Sequence, residues 1–285
     1  MYNIPSFSIR TDMADEAHKL WQTSNKDKSE LSGVSARSYN IYGMEVSEVL
    51  ILNEQGEASL NKARGKYFSL SLPEYCDRGS DAFSPAVKAL SELIRRCNID
   101  TSGTVLIAAL GNPDISPDAL GNITASNILV TAHLEKKDFP QFSSLALCRP
   151  GVLGTSGIES SEQIKAICAL INATTVIVVD ALAGSDTEHL CKCIQISDAG
   201  ISPGSGVGNS RKEISTKLLG VPVISIGIPT VIDAAYFGGE NFGEMFVTPR
   251  NIDSLVRRGA KLIGYAINSA VHTEISIEDM DALLN

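Results

Sequence analysis

Two aspartates, Asp118 and Asp180, stand where acid–base chemistry on an amide could be built. Asp180 follows directly on the apolar run Val176–Val179, and Asp118 comes shortly after the run Thr104–Leu110. Both runs are short, apolar and β-branched, the pattern of strands buried on both faces. Ligands of open α/β sheets bind beyond the carboxyl ends of the strands. If the two strands are neighbours, both carboxylates face one cleft. Two such groups a few ångströms apart do not easily both ionise and so share a proton. One can then deprotonate a water while the other protonates a departing amide nitrogen. The same aspartates can instead cap the helices that follow them, and the two roles are compatible.

A second constellation runs from Ser197 through Asp198 to Asn209, with Gly204, Gly206 and Gly208 at alternate positions around Ser205. Glycines so spaced leave backbone N–H groups free to form an anion-binding nest. An oxyanion- or substrate-binding loop (Asp198, Gly204, Ser205, Gly206, Gly208) and a plain connection both fit it. The spacing is neither the dinucleotide fingerprint nor a phosphate-binding P-loop. Asp233 is a third acid beyond a strand, with a solvent-facing helix position as its alternative. Gly154–Ile158 approaches a serine elbow but lacks its second glycine. The four histidines, His18, His133, His189 and His272, sit in no nucleophile motif. Asp118, Asp180 and His133 are acceptable metal-ligand types, although His133 suits a helix surface better. No metal and no cofactor is expected.

These residues need elements to hold them. Strands are expected at Met44–Leu52, Thr104–Leu110, Val176–Val179 and Val221–Ile226, and helices at Pro85–Cys97, Asp118–Leu134, Ser160–Ile171 and Ser210–Leu219. A long last helix should run from Thr248 to about His272 with a break near Gly264. Residues 25–32, 53–56 and 73–84 read as loops or turns. Strands alternating with helices imply a single α/β domain with a mostly parallel sheet covered by helices on both faces.

The chain of 285 residues has 44% hydrophobic and 20% charged residues, enough for a sizeable core. Its formal charge of −9 argues against general nucleic-acid binding, which needs a basic face. No apolar run approaches the ~18 residues of a membrane span, and residues 1–21 carry no secretory leader pattern. The six cysteines form no C-x-x-C pair and are expected to be reduced thiols in a cytosolic protein.

Several ordered segments resemble the germination protease family of spore-forming bacteria. They are Gly111–Asn112 with Ser116–Gly121, Pro150–Glu159, Asp180–Ala183, Ile194–Ile201, Pro203–Asn209 with Arg211–Ser215, Leu219–Ile224 and Ile226–Val231. At the N-terminus, Ile9–Ala14 is similar to the family's propeptide junction. The resemblance implies an atypical aspartic endopeptidase, made as a self-processing zymogen, with Asp118 and Asp180 as the two aspartates. It implies a fold similar to the hydrogenase maturation proteases, a homotetramer, a place in the spore core, and small acid-soluble spore proteins as substrates. It also implies cleavage between Asp12 and Met13, which makes residues 1–12 a candidate propeptide in an arm where proteolysis should be easy. Some members carry a long insertion where this chain has only Ala234–Phe246, which bears on subunit contacts rather than on chemistry. A metal-dependent maturation-type protease and a non-catalytic peptide-binding relative are the alternatives.

Overall fold

A computed structural model of the chain describes residues 11–25, 31–73, 76–208, 211–238 and 245–284. Most of the candidate propeptide, most of the loop expected at 25–32, and the start of the helix expected at Ser210 lie outside the described residues. In chain order the elements are α1 (Ala14–Ser24), β1 (Val34–Ile41), β2 (Met44–Ile51), α2 (Glu54–Leu60), β3 (Gly65–Ser71), α3 (Phe83–Arg96) and β4 (Thr104–Ala109). Then come a 3₁₀ turn (Ser116–Asp118), α4 (Leu120–Ala125), β5 (Leu145–Cys148), α5 (Leu153–Ser156), α6 (Ser160–Leu170), β6 (Ala173–Gly184) and β7 (Cys193–Ser197). A second 3₁₀ turn (Ser205–Val207), α7 (Thr216–Leu219), β8 (Val223–Asp233), α8 (Ala235–Gly238), β9 (Phe246–Val247), α9 (Ile252–Val271) and α10 (Ile277–Leu284) complete the chain.

Among the described residues nine strands form one sheet in the order β1-β2-β3-β7-β8-β6-β4-β5, with β9 added to the end of β8. The fold is α/β as expected, but the sheet is mixed rather than mostly parallel. Only β5–β4–β6–β8 run parallel; β1, β2, β3 and β7 pair antiparallel, and so does β9. Of the antiparallel half the sequence reading found only β2; β1 and β3 carry many polar residues, and β7 is five residues long. β1 is largely exposed, so no apolar alternation marks it.

Both faces of the central strands are covered. Ile177, Val179, Ile194, Ile196, Ile224 and Ile226 pack against α3, α4 and α9. The apolar stripe of α3 (Ala86, Val87, Leu90, Leu93, Ile94) recurs at helical spacing and is fully buried there. On the opposite face, Val176, Val178 and Val223 meet Ile164 and Cys168 of α6. Farther along that face, Met13 packs on Leu182, Cys193 and Ile201.

Four expected boundaries move. The helix expected from Asp118 to Leu134 is only α4. Asn268 of α9 accepts a bond from the Leu129 N–H at 3.0 Å and donates to the Asn127 carbonyl at 2.9 Å, drawing the chain out of helix. The turn expected at 53–56 is the N-terminus of α2, where Asn53 accepts from the Gly56 N–H at 3.1 Å. The helix expected at 210–219 shrinks to α7, closed by Gly220 at φ 77°. The break expected at Gly264 does not occur. α9 runs straight through it, and the missing side chain lets Asn127 pack close, since a Cβ there would lie 2.5 Å from that of Asn127.

Candidate active site

Strands β4 and β6 are parallel neighbours, with Ala109 opposite Val179, so Asp180 sits just past the end of β4. It lies within β6 and not beyond it, because β6 continues to Gly184 by pairing with β8. The chain leaves β4 through Gly111, whose φ of 95° and close contact with the Asp118 carbonyl, 1.9 Å from where a Cβ would stand, admit no side chain. This turn folds the chain back, so that Asp118 Oδ2 accepts the Asn112 N–H at 2.8 Å. Asp118 thus ends a 3₁₀ turn and is not the first residue of a long helix.

Asp118 and Asp180 line one cleft of about 750 Å³, together with Asp12, Gly204, Arg211 and Phe246. Asp180 is 5% exposed and accepts the Ala181 N–H at 3.0 Å. Burial first, and then the charges of Asp118 and Asp12, hold its carboxyl well above the ordinary aspartate range. Burial also raises Asp118, while the bond from Asn112 pulls it back. Both carboxyls thus hold a proton more readily than an isolated aspartate does, as two neighbouring acids that share one would.

The segment Thr11–Ala14 is docked beside them. Asp12 N–H donates to the Ala183 carbonyl at 2.8 Å, and Ala183 N–H donates back to Asp12 Oδ2 at 2.9 Å. The Ser205 hydroxyl donates to Asp12 Oδ1 at 2.7 Å. Gly206 makes room for this contact, since a Cβ there would stand 2.3 Å from Asp12 Oδ2. Lys62 Nζ donates to the Thr11 carbonyl at 2.7 Å. Gln195 on β7 brackets the next peptide: its Nε2 donates to the Asp12 carbonyl at 3.0 Å, and its Oε1 accepts the Ala14 N–H at 2.8 Å. Met13 is 0% exposed. The Asp12–Met13 bond is therefore held against the sheet, not presented in an open arm.

The glycine-rich loop divides. Gly204, Ser205 and Gly206 meet the cleft or Asp12, whereas Gly208, at φ 74°, serves as the cap after the second 3₁₀ turn. Asp198 is not among the residues that line the cleft; it accepts the Lys66 N–H at 2.7 Å, tying β7 to β3. Asp233 accepts the Ala235 N–H at 2.8 Å at the start of α8. His133 does not line the cleft either. Sequence reasoning assigned no role to Lys62 or Gln195: Lys62 is a lone polar residue in the loop between α2 and β3, and Gln195, although inside the segment Ile194–Ile201, meets Asp12 only because β7 lies under the N-terminal segment.

A separate polar cluster anchors α1. His189 lies with Nε2 3.4 Å from Asp15 Oδ2, and with Nδ1 3.2 Å from Glu16 Oε1 and 3.0 Å from Asp186 Oδ1. These carboxylates raise its pKa to about 10, so the imidazolium persists at neutral pH. Glu16, Asp186 and His189 are the one set among the described residues whose possible metal-ligand atoms converge, all within 4.8 Å of one another. Among the described residues no other such set forms, around Asp118 and Asp180 included.

The germination protease family model matches residues 11–243. The germination protease of Clostridium tetani (strain Massachusetts / E88) is 36% identical, across 98% of this chain and 100% of that protein. That of Caldanaerobacter subterraneus subsp. tengcongensis is 35% identical, across 97% and 98%. That of Oceanobacillus iheyensis is 40% identical, across 80% of this chain and 65% of its own length. With Asp12, Asp118, Asp180 and Gln195 inside the matched span, and a 36% identical relative covered over its whole length, the chain belongs to the germination protease family.

Proposed function

We propose that the protein is an endopeptidase that begins the breakdown of small acid-soluble spore proteins at germination, and that it is made as a zymogen which cuts itself between Asp12 and Met13. Asp118 takes a proton from the attacking water, and Asp180, already protonated, gives one to the departing nitrogen. The observation that carries this reading is the pair of half-buried and buried aspartates in one cleft, Asp180 within β6 just past the end of β4 and Asp118 on the turn that follows β4, with residue 12 of the same chain bound beside them. An acidic residue followed by a buried apolar one, Asp12–Met13, is the sequence held there, and a substrate with the same pattern would use the same contacts. Residues 1–12 are then a propeptide and the rest a single peptidase domain, acting in the spore core and assembled as a homotetramer.

The test is digestion of a purified spore protein by the wild type, by Asp118→Asn and by Asp180→Asn. Asparagine keeps the size and capping ability of aspartate but transfers no proton. Each variant should lose most of its activity, on the order of 10²–10⁴-fold, while melting as a folded protein. Full activity in either one removes that aspartate from the mechanism. Loss of wild-type activity in a strong chelator, with recovery on adding a divalent ion, would replace the dyad with a metal-dependent mechanism similar to that of the hydrogenase maturation proteases.

A further inference from the structure

Asp180 and Gln195 lie in one row of the sheet. Asp180 on β6 pairs with Gly227 on β8, and Gly227 pairs in turn with Gln195 on β7. Residues paired across strands project to the same face, so both side chains point toward the segment Thr11–Ala14. Gly227 between them has no side chain; Leu182 occupies that space, its Cγ 2.6 Å from where a Cβ would stand. Asp12 borders the cleft of Asp118 and Asp180 on one side and, on the other, a smaller cavity of about 300 Å³ lined by Gln195.

We infer that Gln195 is a further catalytic residue of self-processing, the donor that stabilises the oxyanion on the Asp12 carbonyl. This rests on the reading that the chain cuts its own Asp12–Met13 bond. The amide of Gln195 already touches the reacting oxygen, with Nε2 donating at 3.0 Å, and is 6% exposed. Its orientation is fixed from the other end, because Oε1 accepts the Ala14 N–H at 2.8 Å. In the reaction, the water oxygen bonds to the Asp12 carbonyl carbon as its proton passes to Asp118. The carbonyl π electrons move onto the oxygen, where the Gln195 N–H meets the new charge. The carbonyl then re-forms, the bond to the Met13 nitrogen breaks, and that nitrogen takes the proton of Asp180. A preorganised donor aimed at the developing charge stabilises the transition state more than the ground state.

The discriminating variants are Gln195→Glu, which keeps an acceptor for the Ala14 N–H but withdraws the donor, and Gln195→Met, which removes both. The rate constant of self-cleavage of the full chain is followed by gel and by N-terminal sequencing. Docking of the segment is followed by hydrogen exchange of the peptide covering residues 11–17 in the same variants carrying Asp180→Asn, which do not cleave. Both variants should slow cleavage by roughly 10²–10³-fold, with exchange protection of the segment retained in Gln195→Glu. Wild-type rates in Gln195→Glu or Gln195→Met would overturn the inference. So would slow cleavage accompanied by loss of protection in both variants, which marks a residue that only holds the segment. If the wild-type chain never cuts between Asp12 and Met13 while still digesting a spore protein, the self-processing reading fails and this assignment fails with it. Cleavage there at equal rates in all three proteins sinks the Gln195 assignment alone.

Discussion

At the scale of single residues, Asp180 carries a thermodynamic signature that activity assays do not see. Its carboxyl is buried and sits among other acids, so the folded chain binds its proton more tightly than the unfolded chain does. Between the ordinary aspartate value of 3.8 and the raised one, the native state therefore holds the extra proton, and stability falls as pH rises through that window. Asp180→Asn has nothing to ionise. It should melt higher than the wild type at neutral pH, with the gap closing as pH drops below 3.8. Calorimetry of both proteins across that range checks the sign, and a variant that melts lower at neutral pH would contradict the buried, protonated state. The double variant Asp118→Asn/Asp180→Asn should cleave little worse than either single one, because groups acting as a unit are not additive.

At the scale of elements, two devices place the site. Gly111 turns the chain back at the end of β4, with a positive φ and no space for a methyl group. Gly111→Ala should cost about 1–2 kcal/mol for the left-handed backbone alone, with more from the clash. Because the clash is with Asp118 itself, activity should fall further than melting does; denaturant unfolding and spore-protein digestion, run together, separate the two. The second device is the clamp of His189 on the acidic start of α1, which stations Met13 and Ala14 over β7. Here the folded pKa, about 10, lies above the ordinary 6.5. The clamp's stabilisation is thus fully present below 6.5 and lost as pH rises toward about 10. His189→Gln should lower the melting temperature at pH 6.5, and the difference from wild type should shrink by pH 10. A constant difference across that range would show that the imidazole contributes packing rather than charge.

At the scale of the whole molecule, the sheet is a parallel half that carries Asp118 and Asp180 joined to an antiparallel half that carries Gln195. The cleft and the bound N-terminal segment lie where the halves meet, and no helix among the described residues is long and apolar enough to cross a membrane. The homotetramer proposed above predicts a scattering mass near four times the 30.3 kDa chain at micromolar concentration. A stable monomer would refute it. Tyr236 and Phe237 are large, apolar and exposed, and alanine at both should loosen the proposed assembly, read as a lower scattering mass.

By itself the sequence determined the buried strands β4, β6 and β8, the amphipathic α3 and α9, the aspartate that follows β4, and the family. These are local or compositional facts: an apolar β-branched run stays buried whatever lies beside it, and a string of ordered motifs identifies relatives without coordinates. Only the tertiary structure decided that the sheet is mixed, because strand direction depends on partners far away in the chain. It also decided that α4 stops at Ala125, since the competing hydrogen bonds come from Asn268. Gln195 became visible as a partner of Asp12 only when a strand 183 residues later was laid under the N-terminal segment. A lone glutamine has no periodicity or spacing to announce it, and its chemistry exists only through the register that puts it in one row with Asp180.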